Sequence, residues 1–260
     1  MKNYLTISPS SLSTFFKCSQ QFKWLYLDGL ESDEATGSIH AAFGTAIHKS
    51  LELHFKYGVN FEDIVKSWKV IFLCTCTEEK ALVLPNKHDL DEFIERGYQS
   101  LDNVSYMMKR WTDYKILDVE KYFRIPYKNE FIENVFITGR IDLLLNKIKS
   151  VVCLDWKSSK NKEQNIDENI QLTFYVYFAN YAYEKLCGNS LDNIYGALAY
   201  PYDQEIIFTQ RSVKSFTALF EKINVMLKRI KECDFKKEPK IKFLVDDCHF
   251  CPYTKSCCTH

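Results

Sequence analysis

The pattern of apolar and polar positions along the chain changes once, near residue 114. Before that point the apolar stretches carry helical punctuation. Ser8-Pro9 reads as a helix start, with Ser8 at the cap and Pro9 in the first turn, followed by an aromatic-rich stretch from Phe15 to Leu27. A second helix is expected from about Ala42 to Tyr57, closed by Gly58, with two more over about 61–73 and 87–113. Beyond residue 114 come three β-like runs, ILDVEKYFRIPY, NVFITGRIDLLL and SVVCLDWK, joined by short polar segments suited to hairpins, for which an antiparallel meander is the simplest arrangement. Residues 167–187 are long enough for a buried helix ended by Gly188; their aromatic content also permits a strand, and helix is the expectation. NIYGALAYPY and EIIFTQRS predict two further strands, 212–233 an amphipathic helix, and 234–260 an irregular tail ending in cysteines.

Composition narrows this picture. At 260 residues the chain can bury one large core and a small annex, so one domain is expected: a mainly helical part over 1–113, an α/β core over 114–233, and a tail over 234–260. Lys+Arg and Asp+Glu both number 34, so attraction to nucleic acid or to a membrane is not written into the net charge, and any basic surface must be local. The N-terminus lacks a continuous apolar segment of the signal-peptide kind, and no stretch is long enough for a membrane span, which predicts a cytoplasmic protein with no membrane partner. In that compartment ten cysteines are poor candidates for disulfides, and clustered ones read as metal ligands.

The chemistry begins in the β-like runs. Residues two apart on a strand share a face, so Asp155 and Lys157 of LDWK point one way while Leu154 and Trp156 point the other. If the NKIKS turn is centred between Ile148 and Lys149, opposed residue numbers sum to 297, which sets Asp142 opposite Asp155. Opposed Cβ atoms lie about 5 Å apart, and at an effective dielectric of about 20 the repulsion of two carboxylates is of order 3 kcal/mol. A sheet that keeps both acids needs a cation. Lys157 supplies one charge, and two carboxylates with the backbone carbonyl at the strand end make an all-oxygen site suited to Mg²⁺ or Mn²⁺. The bland alternative is a surface Asp/Asp/Lys cluster, which the apolar flanks IDLLL and VVCLDW disfavour.

The series GTAIH, GRID, LDWK and QLTFY resembles the PD-(D/E)XK nuclease superfamily, and within it the RecB/AddB-like exonucleases that include a CRISPR-associated branch. That resemblance implies an α/β fold with a mixed β-sheet flanked by helices, an N-terminal helical layer and a C-terminal cysteine cluster. It implies His48 and Asp142 as metal ligands, Asp155 as the bridging acid, Lys157 as the catalytic lysine, and Gln171 and Tyr175 as helix residues supporting the site. The acid-x-Lys position holds Asp155 where Glu is often found, a variation the pattern allows. On its own residue type, His48 is as readily a helix histidine paired with Glu52 one turn later, and Gln171 and Tyr175, at i and i+4, are ordinary neighbours on one helix face.

The tail carries Cys248, Cys251, Cys257 and Cys258, a C-x₂-C-x₅-C pattern with one extra cysteine. A tetrahedral set needs a fourth ligand, and Cys18 near the start is the candidate. The resemblance implies a [4Fe-4S] cluster on Cys18, Cys248, Cys251 and Cys257. Structural zinc, with Cys258, His249 or His260 replacing one ligand, is the competing assignment, because spacing does not separate the two metals. Cys74 and Cys76 form a weak C-x-C pair, and Cys153, Cys187 and Cys233 read as small buried hydrophobes.

The expected activity is therefore metal-dependent hydrolysis of phosphodiester bonds at DNA ends, preferably single-stranded. The setting would be DNA repair, recombination, phage replication or CRISPR adaptation, with proteins of those processes as partners. Candidate DNA contacts are Lys157–Lys162 and the lysine-rich 228–242 segment, either of which also reads as a solvated face, and some of the abundant Tyr and Phe could stack single-stranded bases while most read as core. The contrary expectation is a non-catalytic nucleic-acid-binding or docking module with a structural metal. A zinc hydrolase built on the cysteines is disfavoured, since four thiolates leave no open position for water.

Overall fold

The structure, a computed structural model, describes residues 4–31, 38–81, 87–109, 111–183, 191–235, 241–242, 245–246, 251–253 and 257. Cys187, Gly188, Cys248, His249, Cys258 and His260 lie outside these. The architecture is a mixed sheet flanked by helices. Its strands run in the order β1 (Leu5–Ile7), β3 (Val135–Lys147), β4 (Ser150–Trp156), β5 (Ile194–Tyr200) and β6 (Glu205–Gln210), with β2 (Lys115–Tyr127) also paired to β3. β1 pairs β3 in parallel and β4 pairs β5 in parallel, while β3–β4 and β5–β6 are antiparallel. The chain divides into two compact units, one of residues 1–35, 123–139 and 213–260, the other of 36–122 and 140–212.

The larger unit owes its core to strands that are apolar on both faces. β4 is buried from Val151 onward and Leu143, Leu144 and Leu145 of β3 are buried in succession, the pattern of strands covered on two sides. Leu143, Leu145, Val152, Leu154, Trp156, Ala197 and Ala199 share one core with α3 (Ile39–Tyr57), α4 (Phe61–Glu78) and α5 (Lys87–Met108). In that core Phe43, Trp68 and Phe72 meet edge-on or stacked. The helix α6 (Ile170–Ala182) packs on β4 and β5 from the face that carries Cys153, whose thiol donates to the Tyr175 carbonyl at 3.6 Å.

Boundaries follow the caps. α3 begins three residues earlier than expected because Ser38 accepts from His40 N, and Gly58 closes it at φ 70°, a left-handed conformation that suits a residue without Cβ. α4 continues to Glu78, so Cys74 and Cys76 ride one helix, the first exposed and the second buried, and do not face each other as a ligand pair. α6 is helical as expected and stops at Ala182.

In the smaller unit Ser8 and Ser11 form a reciprocal capping box at the start of α1 (Pro9–Lys17), with Pro9 in its first turn. A short helix α2 (Ser19–Phe22) follows through Cys18, and then a π-helical turn over Lys23–Asp28. Helix α7 (Val213–Lys231) contacts α1, and Arg229 donates to Ser19 Oγ at 3.1 Å while lying over the Phe15 ring. Tyr127 stacks on Phe220 and donates to Asn224 at 3.0 Å. The GRID glycine also has a packing reason. A Cβ on Gly139 would meet the Phe123 ring at 2.6 Å, so this strand position admits no side chain without moving an aromatic. Short strands β7 (Ile241–Lys242) and β8 (Val245–Asp246) pair in the tail, and buried Tyr253 donates to the Leu30 carbonyl at 2.9 Å.

Candidate active site

The β3–β4 ladder pairs Leu143 with Leu154, Leu144 with Cys153 and Lys147 with Ser150, so opposed numbers sum to 297, the register expected from the turn. The ladder stops just short of the two acids. Instead of a backbone pair, the Asp142 carboxylate reaches across and accepts from Trp156 N at 2.7 Å. Asp142 and Asp155 are 7% and 2% exposed, which makes them buried acids where most strand acids face water. Lys157 N continues the β4–β5 ladder to Ala199 O, and its ammonium sits 2.7 Å from Asp155 Oδ2.

Helix α6 supplies the outer support. Asn169 caps it by accepting from Leu172 N, which fixes the first turn carrying Gln171. Gln171 then spans the site: Nε2 donates to Asp155 Oδ1 at 2.7 Å and to Tyr175 Oη at 2.7 Å, while Oε1 accepts from Lys157 Nζ at 2.9 Å. Tyr175 Oη donates weakly to the same Asp155 oxygen at 3.4 Å. Asp155 Oδ1 is thus well supplied. Its buried Oδ2 faces the Lys157 charge but receives no aligned hydrogen bond.

His48 comes from α3. Its Nε2 lies 3.1 Å from the Trp156 carbonyl, which can only accept, so Nε2 carries a hydrogen and Nδ1 faces Asp142 Oδ2 at 3.4 Å. A neutral ring would set a lone pair against a carboxylate there. Burial works against the imidazolium, but Asp142 outweighs it and lifts the His48 pKa to about 9. The pairing with Glu52 does not form, because Glu52 is held by Lys56 at 2.6 Å. Burial, then the neighbouring Asp142, raises the Asp155 carboxyl to about 6 against the opposing pull of Lys157. Burial lowers the Lys157 affinity for its proton, yet Asp155 more than compensates and holds the ammonium above its usual range. The Tyr175 phenol is pushed up by burial and by Asp155, so it stays a donor.

One functional candidate carries no signal in the sequence. Glu120 in β2 brings a carboxylate oxygen to within 4.8 Å of ligand atoms of both His48 and Asp142, and among the described residues these three form a group of that kind. Burial, followed by Asp142, raises its carboxyl to about 7. Its backbone is left-handed at φ 51° in the middle of a 13-residue strand. Such a kink re-aims a side chain out of the two-residue alternation, and nothing about Glu in VEKYF marks it in advance.

The sequence profile of the PD-(D/E)XK nuclease superfamily matches residues 6–258. The chain belongs to this superfamily. A search of curated proteins finds no match. Among solved structures, the crystal structure of SSO0001 is similar over 94% of this chain and 95% of that one, at 12% identity and a TM-score of 0.34. As a PD-(D/E)XK protein the chain takes the superfamily's reading of a metal-dependent nuclease acting on nucleic acid, and the His48, Glu120 and Asp142 group fits a divalent cation. Among the described residues no helix is long and apolar enough to cross a membrane.

The other expected contacts are less free. Lys160 is paired with Glu92 at 2.5 Å and Lys162 with Glu205 and Asp203, so within KSSKNK these two charges are already balanced. In the 228–242 segment Lys228 faces Glu232, and Lys231 donates to the Glu130 carbonyl. Of the expected cluster ligands, Cys248 lies outside the described residues. Cys18 joins α1 to α2 and its sulfur accepts from Gln21 N at 3.5 Å. Burial raises the Cys251 thiol, and Cys18 and Cys257 are near enough to add to that effect. These described cysteines do not draw their sulfurs within 4.8 Å of one another as a ready ligand set.

Proposed function

We propose that the protein is a DNA exonuclease of the RecB/AddB-like kind, hydrolysing phosphodiester bonds at DNA ends with Mn²⁺ or Mg²⁺. The observation that carries this reading is the buried pair Asp142 and Asp155 with Lys157 at 2.7 Å from the second acid. With Glu120 beside them, three carboxyl groups face two cationic side chains, Lys157 and protonated His48, so one carboxylate lacks a close counter-charge unless it holds a proton or another cation is present.

The donor chemistry fits. Asp142, Asp155 and His48 would hold the cation. Asp155 Oδ2 is a buried oxygen with no aligned hydrogen bond to lose, and His48 anchors its Nε2–H on a backbone carbonyl, the second contact that orients metal-binding imidazoles. A bound divalent ion supplies Lewis-acid polarisation of the phosphate and a lowered pKa for water. The chain's own part is positional and electrostatic. Lys157, held charged by Asp155 and steered by Gln171, offers a fixed donor to a phosphate oxygen or to the attacking water. Gln171 and Tyr175 lock Asp155 Oδ1 and so leave its other oxygen to face the reacting centre.

Cys18, Cys248, Cys251 and Cys257 are proposed to hold a [4Fe-4S] cluster. The support is their spacing and the mutual influence of Cys18, Cys251 and Cys257. Anaerobically prepared protein should show a broad absorption band near about 400 nm, iron–sulfur chemistry that zinc lacks; a colourless protein with stoichiometric zinc overturns the assignment.

The activity test is direct. Purified protein should shorten 5′- or 3′-labelled single-stranded DNA with Mn²⁺ or Mg²⁺ and not with EDTA, and Asp142→Ala and Asp155→Ala should abolish this. DNA binding that survives both substitutions, with no hydrolysis under any divalent metal, would instead establish a non-catalytic binding module.

A further inference from the structure

We propose that Glu120 is an additional ligand to the divalent cation and sets the affinity of the site for it. This rests on the reading of Asp142, Asp155 and His48 as cation ligands. Three observations on Glu120 itself carry it.

The first is proximity. A carboxylate oxygen of Glu120 and ligand atoms of His48 and Asp142 all lie within 4.8 Å of one another. One ion with oxygen and nitrogen bonds of about 2.0–2.2 Å can touch atoms separated by up to roughly 4.4 Å, so a small side-chain adjustment brings the three onto a common centre. The second is the lack of a competing partner. The nearest cation is Arg140, whose Nη1 stands 3.7 Å away, beyond hydrogen-bond length, with its side chain 63% exposed. The Glu120 side chain is only 12% exposed, so a mostly buried acid is left with a loose, solvated counter-charge. The third is the backbone. A non-glycine residue at φ 51° costs of order 1–3 kcal/mol, and what that conformation achieves here is to turn Glu120 toward His48 and Asp142. The nearby charged residues of the strand do not do this: Lys121 pairs with Asp118 at 2.5 Å, and Asp118 also accepts from Val119 N.

The alternative role is structural, Glu120 serving only as a counter-charge to protonated His48. The two roles have different consequences when the carboxylate is removed without changing its shape. For a ligand, Glu120→Gln weakens Mn²⁺ binding by tenfold or more in titration calorimetry, alters the Mn²⁺ EPR line shape, and leaves the melting temperature of the metal-free protein unchanged or raised. Nuclease activity of that variant should recover most of its kcat at high Mn²⁺, whereas Asp142→Asn should not recover. Glu120→Asp, which keeps the charge on a shorter arm, should bind with intermediate affinity, and this distinguishes a lost ligand from a disturbed strand. Mn²⁺ affinity within twofold of wild type in Glu120→Gln, alongside a large loss in Asp142→Asn, overturns the role of Glu120 and leaves the proposed function standing. Failure of the wild-type protein to bind Mn²⁺ at all overturns both.

Discussion

The acid cluster around Asp142 and Asp155 and the cysteine set around Cys18 and Cys251 are both proposed to hold a metal, yet they are organised in opposite ways. The acids lie 13 residues apart on one hairpin whose register fixes them, and Gln171, Tyr175, Lys157 and His48 are already bonded around them. Cys18 and Cys251 are 233 residues apart in the chain. By the loop-closure relation, joining such distant positions in an unfolded chain costs about 2.5 kcal/mol more than closing the hairpin. The described cysteines do not form a ready set of close sulfurs, whereas His48, Asp142 and Glu120 stand close together, with His48 and Asp142 both held by the Trp156 backbone. A site organised by strand register can exist before its ligand arrives; a site joining chain ends gains its order from the ligand, so binding free energy there is folding free energy.

That contrast can be broken most decisively at Lys157. Lys157→Ala should lower the DNA cleavage rate by about 10²–10³, the cost of losing one preorganised charge at a reacting centre. Mn²⁺ affinity, read by calorimetry, should stay the same or improve, because removing the ammonium leaves Asp155 Oδ2 facing no competing cation. A variant that lost metal binding along with rate would mean that Lys157 holds the acids in place and that the site is not preorganised by the ladder.

The next effect belongs to the cysteines. Cys251→Ser should abolish the cluster absorption and destabilise the protein by about 2–5 kcal/mol, the range for losing a cross-link between distant chain segments. At this size that is a fall in melting temperature on the order of 10 °C. Mn²⁺ affinity at the acid site should be unchanged well below the new melting temperature. Loss of both together would show that the two centres are not independent.

How much of the fold and the site is legible in the sequence divides along the same line. The caps at Ser8, Pro9 and Gly58, the three β-like runs and the 297 register are local features, set by turn chemistry and two-residue alternation, and they can be read from residues a few positions apart. The positions of Asp142, Asp155 and Lys157 follow from that register. The parallel pairing of β1 with β3 is not legible, because Leu5–Ile7 is three residues long and its partner lies some 130 residues away. Glu120 is hidden for a different reason. Strand periodicity assumes a regular backbone, and a left-handed residue such as Glu120 aims its own side chain out of that alternation. His48 cannot be identified from its own sequence either, since Glu52 one turn later offers an equally good helical partner; the structure commits Glu52 to Lys56 and leaves His48 to Asp142.

The gentlest test is the pH dependence of the metal-free protein. Against its burial, His48 is raised from 6.5 to about 9 by Asp142, so its contribution to stability is fully present below pH 6.5 and fades as pH climbs through 9. Glu120, raised to about 7, and Asp155, raised to about 6, act in the same direction for the opposite electrostatic reason. Both carboxyls hold protons in the fold that the unfolded chain would release, so their ionisation also costs stability as pH rises from about 4.5 to 7. The metal-free protein should therefore become easier to unfold in urea across this whole span, by on the order of 1 kcal/mol per pH unit where one group is titrating. An ordinary globular protein with solvated acids shows no such decline below neutrality. Saturating Mn²⁺ should flatten the slope, because a bound cation favours the deprotonated forms that the empty cluster disfavours. Asp142→Asn should flatten the span from pH 6.5 to 9, by lowering His48 toward its ordinary value, and only lessen the span below it, where burial is the larger cause of the raised Asp155 and Glu120 carboxyls. A slope between pH 6.5 and 9 that survives in Asp142→Asn would assign that titration to groups other than His48 and remove the His48–Asp142 pairing from the preorganised site.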